Sequence, residues 1–104
     1  MDFNTFEQLF VPFCRTDGVS SGKTGSYYRA IKYLAEYLEL PDLGNGNAYS
    51  ILEKEEDLKD RSSRFYQELL RSWESDRHSS YLKNGFVQAA MVYFRRFAAD
   101  NNLL

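Results

Sequence analysis

Ser21-Gly22-Lys23-Thr24 is the stretch whose residue types come closest to a known chemistry. A lysine set between a glycine and a threonine hydroxyl can cradle a nucleotide phosphate where a glycine-rich loop joins a strand to a helix. The spacing fails that test. The pattern needs a glycine five residues before Gly22, where the chain has Asp17; Gly18 is one residue too close. The segment ahead reads as helix rather than strand, and no later apolar strand offers a magnesium-binding aspartate. Cys14 and His78 are the only residues of their types, and a structural zinc site wants four such ligands. No signature flanks them as a nucleophile pair, and no two acids sit in a recognisable catalytic frame. The expectation is therefore a chain that is not an enzyme, with no cofactor and no metal.

The remaining chemistry is cationic. Phosphate oxygens are contacted by lysine, arginine, hydroxyls and helix N-termini. Lys23, Ser26, Arg29 and Lys32 crowd the start of one expected helix, and Lys83, Arg95 and Arg96 extend the set if a later helix packs beside it. These seven residues are the candidate nucleic-acid contacts. The overall balance is against a strong non-specific binder, because the net charge is -2. The competing reading is a protein-interaction or oligomerisation module with no DNA contact, built on exposed aromatics such as Tyr28, Tyr33 and Tyr93.

Those residues need elements to hold them. Gly25 to Leu38 carries an apolar stripe at helical spacing: Tyr27, Ala30, Ile31, Leu34, Tyr37 and Leu38. A shift of 60 residues superposes Gly25 on Gly85, Ala30 on Ala90, Ile31 on Met91, Leu34 on Phe94 and Tyr37 on Phe97. The second stripe is Val87, Ala90, Met91, Phe94, Phe97 and Ala98. Neither helix can bury its stripe alone, so the two should pair, with Leu34 facing Phe94. On the outer face Lys32 and Glu36 are spaced as an ion pair.

Around this pair the chain predicts two more helices. Asn4-Thr5-Phe6-Glu7 has the spacing of a capping box, followed by Phe6, Leu9, Phe10 and Phe13; Pro12 weakens the last turn. Thr16 to Gly25 reads as a loop. Ala48-Tyr49-Ser50-Ile51 is either extended or the beginning of a helix. The acidic run Glu53 to Asp57 suits a helix start, and Leu58, Ser62, Phe65, Leu69 and Trp73 continue as a stripe. The fold class is all-α, a compact bundle of about four helices at 4–13, 22–38, 54–74 and 81–100, the last either continuous or starting after Asn84-Gly85. Residues 1–104 are the size of one domain. With eight Phe, eight Tyr and one Trp, it carries enough large side chains for a packed core. One cysteine excludes an internal disulfide and suits a reducing compartment. No signal peptide and no membrane span are present, so the expected location is cytoplasmic.

Ser21-Gly22-Lys23-Thr24-Gly25-Ser26-Tyr27-Tyr28-Arg29-Ala30-Ile31-Lys32-Tyr33-Leu34 resembles the "SGK…SY.RAI.YL" opening of a helical N-terminal module of HNH-type and other restriction-like nuclease proteins. Ser80-Tyr81-Leu82-Lys83 through Ala89-Ala90-Met91-Val92-Tyr93-Phe94-Arg95-Arg96-Phe97 is similar to that family's closing helix. The two-helix layout is also similar to the DNA-clamping, core-binding (SAM-like) domain of tyrosine recombinases. The resemblance covers residues 20 to 99. It implies a non-catalytic accessory domain of a DNA-processing protein, weak phosphate contact with DNA, and a nuclease or ATPase domain after Leu104. Asn84-Gly85-Phe86 and the acidic balance depart from the family pattern. A free-standing phage or regulatory protein is the other expectation for a chain of this length.

Overall fold

The computed structural model describes residues 1–104 as helices and connecting turns with no strand. In chain order these are α1 (Phe3–Thr16), α2 (Ser21–Tyr37), α3 (Asn47–Leu52), α4 (Glu55–Lys59), α5 (Arg64–Ser75), α6 (Ser80–Lys83) and α7 (Phe86–Asp100). The all-α class holds, but the expected four helices become seven segments, because two of them are broken and a further short helix, α3, forms between the second and third.

The first break divides the predicted helix 54–74. Asp60 leaves helical geometry, and its Oδ1 accepts from the Ser62 amide at 3.0 Å and the Ser62 hydroxyl at 2.6 Å. Ser63 then caps α5, accepting from the Tyr66 amide at 3.0 Å. Short polar side chains here offer the backbone partners that compete with a continuous helix. The second break falls at Asn84-Gly85, so 81–100 is two helices. Gly85 stands at φ +76°, a left-handed conformation that glycine adopts without a Cβ penalty.

The ends of the other helices also move. α1 is capped by Asp2, whose carboxylate accepts from the Thr5 amide at 2.7 Å; Asn4 lies inside the helix, so no capping box forms. Pro12 lies inside α1 on its exposed side and does not end the helix, which runs on to Thr16. α2 begins at Ser21, so the second half of the predicted loop at 16–25 is the opening of that helix. The ambiguous stretch from Ala48 is a separate helix, α3.

α2 and α7 form the most extensive helix pair, and α1 lies across both. Leu34 of α2 and Phe94 of α7 are both fully buried. All six residues of the predicted α7 stripe are buried. In α2 the stripe is shifted: Tyr28 and Ala35 are buried, while Tyr37 and Leu38 are only half-buried. Phe6 stacks on Phe10 (4.7 Å between ring centres) and meets Phe94 and Phe97 edge-on at 5.7 and 5.4 Å. Such offset and T-shaped contacts each contribute beyond the area they bury. Gln88 of α7 ties the short helices down, its amide donating to the carbonyls of Leu58 (3.0 Å) and Leu82 (3.4 Å).

Candidate functional site

The SGKT stretch does not form a phosphate cradle. It is the first turn of α2, and the Thr24 side chain is buried, with its hydroxyl donating to the Ser21 carbonyl at 3.0 Å. Ser20, the residue at the N-cap, makes no side-chain capping bond. Cys14 is buried in the core, where loss of hydration, with Asp17 nearby, pushes its thiol up to about 12. It is an inert packing residue, not a nucleophile. No group of three or more His, Cys, Asp or Glu side chains is placed to hold a metal.

The seven predicted cations and hydroxyls are dispersed. Lys23 is exposed and makes no ion pair; Ser26 is half-buried one turn on. Arg29 lies back along α2 over Gly25, where a Cβ would come within 3.2 Å of its guanidinium. From there its Nε donates to the Tyr81 hydroxyl at 2.8 Å, linking α2 to α6. Lys32 is half-buried, and its expected pair with Glu36 does not form. Lys83 meets Glu74 at 3.9 Å. Arg95 pairs with Glu55 of α4, and Arg96 with Asp17 just beyond α1. Neighbours in sequence, these two arginines are thus drawn to different elements. Arg96 also lies 5.4 Å from the Tyr93 ring centre. Of the three tyrosines expected at an exposed interface, Tyr28 is buried, and Tyr33 and Tyr93 are half-buried.

A different site is written into the opposite end of α2. There a cleft of about 250 Å³ opens between the last turns of α2 and α5. α2 contributes Tyr33, Glu36 and Tyr37, which share one face by their i, i+3, i+4 spacing, and then Glu39. α5 contributes Ser72, Trp73 and Asp76, and His78 follows it. Both helices end in the same way. The Leu40 amide donates to the Ala35 carbonyl (2.9 Å), and the His78 amide to the Trp73 carbonyl (2.7 Å), with Glu39 and Arg77 in left-handed geometry at φ +59° and +63°. This terminal turn normally uses glycine; here it places a carboxylate on one rim and swings His78 back over Tyr33. The two rings stack at 3.7 Å and 9°. Tyr81 meets Tyr33 edge-on at 5.3 Å, and Phe65 meets Tyr37 edge-on at 5.8 Å.

The charged side chains that line the cleft are all acidic. Two helix C-termini point their negative dipole ends at it. Glu36, Glu39 and Asp76 line it, and none of them is among the carboxylates that find an ion-pair partner. Burial, with Tyr81 and Glu36 adding to it, raises the Tyr33 phenol above its ordinary range, so its hydroxyl stays neutral. Carboxylates beside aromatic faces attract a cation twice over, by charge and by the ring quadrupole. The cleft was not legible beforehand, because Tyr33 and Tyr37 read as core and interface residues and Glu36 as one end of a surface pair.

No protein-family profile, no curated protein and no solved structure matches this chain.

Proposed function

We propose that this chain is a non-catalytic interaction module that docks a positively charged group of a partner into the cleft at the ends of α2 and α5. The observation that carries this reading is the gathering of three carboxylates that form no ion pair, Glu36, Glu39 and Asp76, beside the half-buried rings of Tyr33 and Tyr37. The cations that a DNA face would use are mostly engaged elsewhere: Lys83, Arg95 and Arg96 by carboxylates, and Arg29 by Tyr81. The resemblance to restriction-like and recombinase modules supports an accessory role in a DNA-processing protein, with a nuclease or ATPase domain as the partner. Weak phosphate contact is the second reading. It is favoured by the start of α2, where the Ser20 side chain makes no capping bond to the first helical amides and Lys23 makes no ion pair, although the Lys23 and Thr24 amides donate to the Ser20 carbonyl.

One binding experiment separates the two. A short DNA duplex and a short basic peptide are titrated at low and moderate salt into three proteins: the parent, Glu36→Gln with Asp76→Asn, and Lys23→Ala with Lys32→Ala. Arg29 is left in place because it holds α2 to α6. The cleft reading expects peptide binding that the carboxamide pair loses and the lysine pair keeps. Duplex binding that falls steeply with salt and disappears in the lysine pair, with no peptide binding, would overturn it in favour of phosphate contact.

A further inference from the structure

We infer that the group taken by the cleft is the guanidinium of an arginine carried on an extended basic segment of a protein partner, an inference that rests on the docking reading above. Size sets the first limit. At about 250 Å³, the cleft lies below the roughly 300 to 1,000 Å³ of sites that hold a drug-sized ligand. It has room for one long side chain and not for a nucleotide.

Shape and donor counting set the second. Acceptors come from both helices: Glu36 and Glu39 from the α2 end, Asp76 from the α5 end. A guanidinium presents five N–H donors in a planar fork and so can reach carboxylates on two sides at once, whereas an ammonium is a compact, strongly hydrated point charge. The half-buried rings of Tyr37 and Tyr33, the latter with His78 stacked on one face, supply the flat surface on which that plane stacks; Trp73 lies buried behind the lining. No cation lies over the Tyr33 or Tyr37 ring: Lys54 sits 5.0 Å from the centre of Phe65, outside the cleft, and Arg29 is held by the Tyr81 hydroxyl.

Charge sets the third. The cleft carries three carboxylates that form no ion pair, at the C-terminal ends of two helices, so an arginine flanked by further basic residues gains on approach as well as in the bound state. The openness of the cleft between two helix ends suits a side chain delivered from outside on an extended backbone.

Trp73 is the only tryptophan and lines the cleft, which makes its emission a direct probe. The parent protein is titrated with a blocked Gly-Arg-Gly peptide and its citrulline, lysine and acetyl-lysine counterparts, and separately with spermidine. The arginine peptide should shift the Trp73 emission saturably, in about the millimolar range, since one side chain offers few atoms. Citrulline, which keeps the shape and loses the charge, should bind about ten-fold more weakly or worse, and so should the arginine peptide to Glu36→Gln with Asp76→Asn. Lysine should fall several-fold below arginine, and extending the arginine peptide with flanking arginines should tighten binding. Equal binding of lysine and arginine, both lost with their neutral counterparts, would overturn the guanidinium assignment and leave the docking reading standing. Spermidine binding more tightly than any peptide would overturn the protein segment as occupant. Equal binding of citrulline and arginine, or no emission change with any cation, would overturn both the assignment and the docking reading. Circular dichroism of the carboxamide pair, expected to match the parent, keeps a folding defect from passing as lost binding.

Discussion

Replacing Glu39 and Arg77 by glycine should make this protein more stable, and only one of the two changes should cost binding. Both residues sit at the left-handed position of a helix-ending turn. An L-residue there pays roughly 1 to 2 kcal/mol for its Cβ. Glycine removes that strain but gives back roughly 0.5 to 1 kcal/mol through the greater freedom of its unfolded chain. Both side chains are exposed and neither forms an ion pair, so no native contact offsets the gain. The net expectation for each is a stabilisation of about 0 to 1.5 kcal/mol, centred at about 0.75 kcal/mol, or roughly 3 to 6 °C in Tm for a domain of this size. Thermal melts and urea titrations measure it directly. The same variants, titrated with the basic peptide, should then diverge. Glu39→Gly removes a carboxylate of the cleft and should weaken binding, while Arg77→Gly should leave binding intact or tighten it by removing a nearby positive charge. Loss of stability in both variants would refute the strain argument. Unchanged binding in Glu39→Gly would remove that carboxylate from the recognition set.

Three other expectations follow from the packing and the caps. Leu34→Ala empties a fully buried position on α2 and should cost roughly 2 to 5 kcal/mol in denaturant melts; a loss under about 0.5 kcal/mol would mean that this face can collapse around the gap. Cys14, buried and with its thiol held up to about 12, should resist thiol reagents in the native protein and react only on unfolding; rapid labelling under native conditions would contradict its place in the core. Asp2 is held below the ordinary carboxylate range by the Thr5 amide. A depressed native value means that its contribution is present above the unfolded value and is lost as pH falls through the native one. Stability of Asp2→Asn should therefore fall less than the parent's on acidification; parallel acid limbs for the two proteins would count against the cap.

The α2–α7 pair was legible because a stripe repeated at helical spacing can be satisfied in few ways, and each half required the other. The phase of the α2 stripe was less certain, since Tyr28 and Tyr37 are chemically alike and differ only in which neighbour arrives. The break at Asp60 to Ser63 was written in short polar side chains that also occur on solvated helix faces, so periodicity carried the predicted helix through it. Arg95 and Arg96 shared one expected patch, yet their partners, Glu55 and Asp17, are remote in sequence and lie on different elements. The cleft was the least legible feature. It depends on left-handed geometry at Glu39 and Arg77, which neither residue type signals, and on a stack between Tyr33 and His78 that only the folded chain creates.

The most direct test is a nitrogen-15 NMR titration of the parent protein with the arginine peptide and, separately, with a short DNA duplex. The account predicts that the peptide moves the Trp73 indole N–H signal together with the amides of Glu36, Glu39, Asp76 and His78, and leaves those of Ser21 to Thr24 in place. Peptide-induced shifts confined to other surfaces, or a duplex that moves Ser21 to Thr24 while the peptide moves nothing, would contradict it.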